Sequence, residues 1–347
     1  MTDPLPVPGF FNPARVGEIW TVPYAERASQ ALDWGKTLGL KPAATDSVRV
    51  ALLGIDLQNT FCVPGGELFV AGRSGMGAVE DSARICRFIY QNLHRITRIF
   101  LTMDTHKAMQ IFHPIYWVDE QGSHPAPLTV LSVEDVKRGK WRVNPAVVNN
   151  VASDRNLAEL QRQAEHYVET LAKGGKYPLI IWPYHAMLGG VGHAIVSAVE
   201  EAAFFHTIAR ASQTGFEIKG DNPLTENYSV LRPEVLEGPF GPIAEKNTRF
   251  LQTLLSYDVV AIVGQAKSHC VAWTIDDLLT EMTARDPALV RKVYLIEDCT
   301  SPVVVPGVVD FTAQADAAFA RFAGAGMHLV KSDQPIGSWP GVHPGGA

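Results

Sequence analysis

Cysteine is scarce in this chain. Its four cysteines, Cys62, Cys86, Cys270 and Cys299, are too few and too scattered for a disulfide framework or a paired-cysteine metal knuckle. Free thiols of this kind suit a reducing compartment. Long apolar runs are also missing: stretches such as residues 259–263 are far too short to span a bilayer. Positive charge is not in excess, with 30 Lys and Arg against 36 Asp and Glu and a formal charge of −6. That balance leaves no electrostatic footprint for DNA or RNA. Residues 1–13 are proline-rich and carry an acid but no base, so no secretory leader is expected there. These absences lead to the expectation of a soluble, cytoplasmic protein with a small-molecule partner and neither a nucleic-acid nor a membrane partner.

What is present reads as an α/β protein. The 347 residues, 46% hydrophobic and 19% charged, are enough for one large domain or two modest ones. Residues 48–56 (VRVALLGID), 99–104 (IFLTMD), 177–182 (YPLIIW), 257–264 (YDVVAIVG), 293–298 and 327–330 read as strands, several of them buried on both faces. Helical spacing occupies residues 78–94, 192–209, 270–283 and 312–325. Strands separated by helix-sized segments predict a three-layer sandwich, with a doubly wound, mainly parallel sheet of about six strands. Ligands of such sheets bind at the carboxyl ends of the strands. Asp56, Asp104, Trp182 and the stretch after Gly264 all sit at predicted strand ends. The organisation expected is an N-terminal extension (1–46), a domain (47–332) with an insertion at about 118–175, and a tail (333–347).

Cys270 begins a predicted helix directly after a buried strand, in GQAKSHC. A helix N-terminus favours a thiolate and lowers its pKa, and the tight turn before it brings backbone N–H groups towards one point. A lone cysteine is more often plain core, and Cys86 and Cys299 fit that reading. A nucleophilic thiol needs a proton acceptor. Asp56, at the end of the first strand, is a candidate, although such an acid also serves to cap the loop after it. Lys219 follows a short extended run in GFEIKGDNP, and nothing local separates it from a solvated surface lysine. The second strand runs into Asp104-Thr105-His106, whose acid and imidazole can offer O and N donors to a divalent ion or simply bond one another. His113, His124, His185 and His193 are all candidates for a further ligand.

Three ordered blocks carry a family resemblance. IDLQNTFCVPGGELFVAG, FEIKGDNPLTENYS and VVAIVGQAKSHCVAWTIDDLL resemble the opening, lysine and nucleophile motifs of the nicotinamidase/isochorismatase-like cysteine hydrolases, over roughly residues 48–330. The resemblance implies that Asp56 is the general acid/base, Lys219 its electrostatic partner and Cys270 the nucleophile. It further implies a cis peptide at Gln265-Ala266 and an oxyanion hole from the N–H groups of Ala266 and Cys270. IIWPYHAMLGG is similar to a segment that supplies a metal ligand in the nicotinamidase branch, which favours His185 beside Asp104 and His106. His113 matches a more variable histidine and is a candidate fourth ligand or neighbour. Zn²⁺ is the metal expected, with Mn²⁺ and Fe²⁺ as alternatives. Phe61 and Trp182 map to positions that sandwich a flat substrate, although aromatic residues of this kind also serve as core. Lys267-Ser268 departs from the family pattern and is expected to place an extra positive charge near the mouth of the site.

The activity implied is cleavage of a small, nicotinamide-like carboxamide to acid and ammonia through a thioester. The alternatives are another small amide (ureido or maleamate type), an isochorismatase-like vinyl-ether hydrolase, or a decayed binding or assembly protein. The family often forms homo-oligomers, and one is expected here.

Overall fold

A computed structural model describes residues 4–152, 156–174 and 177–342. Residues 1–3 of the expected extension, 153–155 and 175 of the insertion, and 343–347 of the tail lie outside the described residues.

Six strands form one central sheet: β1 (Val50–Ile55), β2 (Arg98–Asp104), β3 (Gly215–Lys219), β4 (Val259–Gly264), β5 (Val293–Ile296) and β6 (His328–Val330). Their spatial order is β6-β5-β4-β1-β2-β3, and every adjacent pair is parallel. The order reverses between β1 and β4, and a crevice opens at the carboxyl ends beside such a reversal.

Alternation along the strands divides the interior into two cores. Val50 and Leu52 of β1 face one side, where helices α2 (Gly77–Gln91) and α4 (Ser197–Arg210) bury Ile85, Phe88, Val199 and Phe205. Ala51, Leu53 and Ile55 face the other, against α5 (Thr248–Leu255), α6 (Cys270–Arg285) and α7 (Thr312–Gly324). This is the three-layer arrangement expected. Helix α1 (Tyr24–Leu38), in the N-terminal segment, packs on α4 outside the sheet. No helix among the described residues is long and apolar enough to cross a membrane.

One strand assignment is corrected. The run YPLIIW contributes only Leu179–Ile180, which pairs antiparallel with Val130–Leu131, away from the central sheet. The sixth central strand is instead β3, at the sheet edge beside β2. The apolar run at 177–182 is buried in a third core, built by Phe112, Tyr116, Trp117, Leu131, Tyr167 and Trp182 with their neighbours. Helix α3 (Leu157–Lys173), held at its start by a capping box between Asn156 and Glu159, supplies one wall of that core.

Candidate active site

Four parallel strand ends converge on one buried cluster. At the end of β4, Gly264 has a φ of +117°, and a Cβ there would lie 2.1 Å from the Ile55 carbonyl oxygen. Only glycine lets the chain turn so closely past β1. The Gln265–Ala266 peptide that follows is cis, as the resemblance implies. Cys270 is the first residue of α6, and His269 before it provides no side-chain cap. The first N–H groups of a helix lack intrahelical acceptors. Those of Ala266 and Cys270 find no acceptor among the described residues.

Lys219, the last residue of β3, gathers the other groups. Its Nζ lies 2.9 Å from Asp56 Oδ2, 3.0 Å from Asp104 Oδ1 and 3.6 Å from Cys270 Sγ. It also donates to the Asn227 carbonyl at 3.0 Å. Asp56, Asp104, Lys219 and Cys270 are all buried. Asp56 adopts a φ of 47°, in the left-handed region. Thr102 of β2 fixes it, donating from Oγ1 to Asp56 Oδ1 at 2.5 Å and accepting the Asp56 N–H at 3.0 Å.

The electrostatics follow from burial and pairing. Burial pushes the Asp56 carboxyl above its ordinary value, and Asp104 adds to the rise while Lys219 opposes it. Burial on its own would lower Lys219, but Asp104, Asp56 and Cys270 together hold it well above the ordinary lysine value. The Cys270 thiol is also raised well above its ordinary value, by burial first and by Asp56 and Asp104, against the pull of Lys219. The helix position alone leads to the opposite expectation. Here burial and the two carboxylates carry the shift upward, and Asp56 shares a side-chain hydrogen bond with the thiol.

Beside this group lies a three-donor cluster of Asp104, His106 and His185, all buried. Gln58 clasps Asp104, accepting its N–H and donating to its carbonyl, both at 2.8 Å. His106 Nδ1 lies 3.0 Å from the Gly220 carbonyl and His185 Nδ1 2.8 Å from the Pro183 carbonyl. A carbonyl only accepts, so each Nδ1 carries the hydrogen. Gly220 has a φ of +86°, and a Cβ there would come within 2.7 Å of Asp104 Oδ1, which accounts for the glycine after Lys219. The Nε2 atoms then face Asp104 Oδ2, at 2.9 Å from His106 and 3.6 Å from His185. Two bare nitrogens around a carboxylate call for a positive charge between them, a proton or a metal ion. Burial opposes protonation of His106, yet Asp104 raises its pKa above the ordinary value. Asp104 itself is held well below its usual range, because His106 and Lys219 outweigh its burial. This O,N,N donor set with fixed tautomers fits a divalent metal ion.

The other candidate histidines fall outside the cluster. His113 donates from Nδ1 to the Lys107 and Ala108 carbonyls, and its buried Nε2 has no partner among the described residues. Its ring centroid is 5.7 Å from that of His106 and 6.1 Å from that of His185, which makes it a neighbour of the three donors. His124 bonds the Trp117 carbonyl, and His193 Nε2 bonds Thr105 Oγ1 at 2.8 Å. Lys267 is corrected as well: its ammonium pairs with Asp316 at 2.6 Å and lies over the Phe319 ring, directed to α7 and not to the mouth.

Phe61 and Trp182 both line a pocket of about 40 Å³ over Cys270. Trp182 donates to the Tyr228 hydroxyl at 3.1 Å, and Phe61 packs edge-on to His185. Sequence reasoning did not single out Glu226, Tyr228 or His269, which share that lining with Gln265. Burial pushes Glu226 up to about 7. His269 stacks on Tyr177 with centroids 4.5 Å apart, and its buried Nε2 has no partner among the described residues. The only signal for these residues was their place inside the quoted motifs.

No protein-family model matches the chain, and no curated protein matches its sequence. Among solved structures it is similar to the yeast nicotinamidase bound to the inhibitor nicotinaldehyde, with 17% identity, a TM-score of 0.50, and coverage of 81% of this chain and 99% of that one. A nicotinamidase/pyrazinamidase of Acinetobacter baumanii matches at 17% identity and a TM-score of 0.49, over 83% and 98% of the two chains. A Pyrococcus horikoshii pyrazinamidase in complex with zinc matches at 16% identity and 0.44, over 82% and 99%. With its strand order and layers as described, the chain has the three-layer α/β fold of the nicotinamidase and isochorismatase-like hydrolases.

Proposed function

We propose that this chain is a cysteine amidohydrolase that converts a small carboxamide, of the nicotinamide kind, to the acid and ammonia. The observation that carries the reading is the single ammonium of Lys219, which reaches Asp56 at 2.9 Å and the Cys270 sulfur at 3.6 Å.

In this scheme Asp56 takes the thiol proton as Cys270 Sγ attacks the amide carbon. Lys219 holds the negative charge that passes between carboxylate and sulfur. The N–H groups of Ala266 and Cys270 receive the oxyanion, each lowering the barrier by about 3–4 kcal/mol. Asp56 returns the proton to the amide nitrogen, the C–N bond breaks, and ammonia leaves a thioester on Cys270. Asp56 then removes a proton from water, whose oxygen attacks the thioester carbon. Collapse expels the sulfur, which recovers its proton from Asp56 as the acid departs.

Asp104, His106 and His185 would hold a divalent ion, Zn²⁺ first, with Mn²⁺ or Fe²⁺ also suited to mixed O and N donors. Bound there, it would supply Lewis-acid polarisation to a substrate ring nitrogen or a water beside the thiol. Asp104 Oδ1 binds Lys219 while Oδ2 faces the histidines, so one carboxylate orients both halves of the site. Phe61 and Trp182 would flank the substrate plane. We extend the proposal to self-association, supported by Phe216 and Ile218, exposed side by side on the edge strand β3 at 52% and 61%.

An ammonia-release screen over nicotinamide and other small primary amides tests the reading. Release by the native protein and its loss in Cys270→Ala is the expected result. Undiminished release from Cys270→Ala would overturn it.

A further inference from the structure

The pocket over Cys270, at about 40 Å³, is the smaller of two neighbouring spaces.

A second cavity of about 470 Å³ adjoins it, within the range of about 300–1,000 Å³ of sites that hold drug-sized ligands. Leu68, Val70, Trp182 and Val303 line both spaces, which places the two side by side. The larger one is walled by Leu128, Val130 and Ile180 on the side of the third core and by Val305, Val308 and Val309 of a hairpin on the other. Glu67 is the only ionisable residue among the described residues that line it. The hairpin is tied to the nucleophile turn, since Val303 N–H donates to Ser268 Oγ at 3.1 Å and Phe311 packs against His269 with centroids 4.8 Å apart.

Resting on the amidohydrolase reading above, we propose that the substrate is a primary carboxamide bearing an uncharged apolar arm, which fills this vestibule while the amide reaches Cys270. The geometry is that of a narrow reactive slot at the bottom of a wide aliphatic funnel. An anionic arm is disfavoured by Glu67, with no cation among the described lining residues. Each methylene buried there raises kcat/KM by about threefold to fourfold until the vestibule is full.

The test is ammonia release from acetamide, butyramide, hexanamide, octanamide and decanamide, beside nicotinamide, by the native protein, Val305→Trp and Val308→Asp. Val308 is exposed at the hairpin tip, so its replacement does not threaten folding. The expected result is a kcat/KM that climbs with chain length in the native protein, with the octanamide-to-acetamide ratio falling at least tenfold (roughly two methylenes lost) in both variants. A flat or falling series with active protein overturns the vestibule proposal and leaves the amidohydrolase reading intact. If no amide is hydrolysed, the reading falls and calorimetric binding of octanamide to Cys270→Ala decides the vestibule: binding weakened by Val308→Asp supports it, and no binding overturns it. A vestibule covered by a second copy of the chain would give a dimer dissociated by Val308→Asp and no chain-length dependence, which also overturns it.

Discussion

The ends of the central strands and the third core around residues 111–182 build the same cavity from different materials. The strand ends contribute Asp56, Asp104, Lys219 and the turn to Cys270, held by register and by short polar contacts between 2.5 and 3.6 Å. The third core contributes Trp182 and, farther out, walls that are mainly apolar. A sheet fixes its strand ends relative to one another, and reaction geometry tolerates little error. Apolar walls act through volume and shape, which change without disturbing the sheet. On the proposed reading, chemistry belongs to the first region and substrate choice to the second.

The largest expected break in that comparison is at the nucleophile. Cys270→Ala lowers kcat by at least about 10⁴-fold with an unchanged melting temperature, read by ammonia release and calorimetry. Lys219→Ala leaves two buried carboxylates without their cation and costs about 3–5 kcal/mol of stability, read by denaturant unfolding. Asp104→Ala removes one donor and the link to Lys219, so metal content after dialysis falls to background, read by elemental analysis.

Acidity tests the two helical layers against the site. Asp56 must be ionised to accept the thiol proton, and burial raises its pKa. The acid limb of kcat/KM therefore lies above the range of an ordinary carboxylate, read from a pH–rate profile. His206 on α4 is buried neutral against the Ile96 carbonyl, its pKa lowered by burial from 6.5 to about 4. Between those values the unfolded chain binds a proton that the native state refuses. Stability thus rises by about 3 kcal/mol from pH 4 to 6.5. His206→Gln flattens that slope in denaturant titrations at each pH. The smallest effect is expected in the third core: Trp182→Ala raises KM by about tenfold with kcat within a few-fold, the loss of a wall rather than of chemistry.

The same division explains what could be read from the chain. β1, β2 and β4 declare themselves because they are largely buried on both faces and so are rich in apolar residues. β3 hides because an edge strand alternates exposed and covered residues and carries Glu217 and Lys219. The run at 177–182 misleads because burial in the third core demands the same apolar residues as burial in the sheet. Asp56 and Cys270 stand out by their positions at strand and helix ends. Lys219 is indistinguishable locally from a surface lysine, and its role rests on a contact between segments 163 and 51 residues apart from it, at Asp56 and Cys270. Gln58 and Thr102 act through contacts with residues 46 positions away, so no local pattern marks them.

The central claim is that carbon–sulfur bond formation at Cys270 precedes release of the acid. Rapid quenching of the native protein during turnover of an amide, followed by peptide mass spectrometry, measures this directly. The account predicts an acyl mass on the peptide containing Cys270 that decays as acid accumulates. An acyl group on another residue, or steady ammonia release with Cys270 never modified, would contradict it.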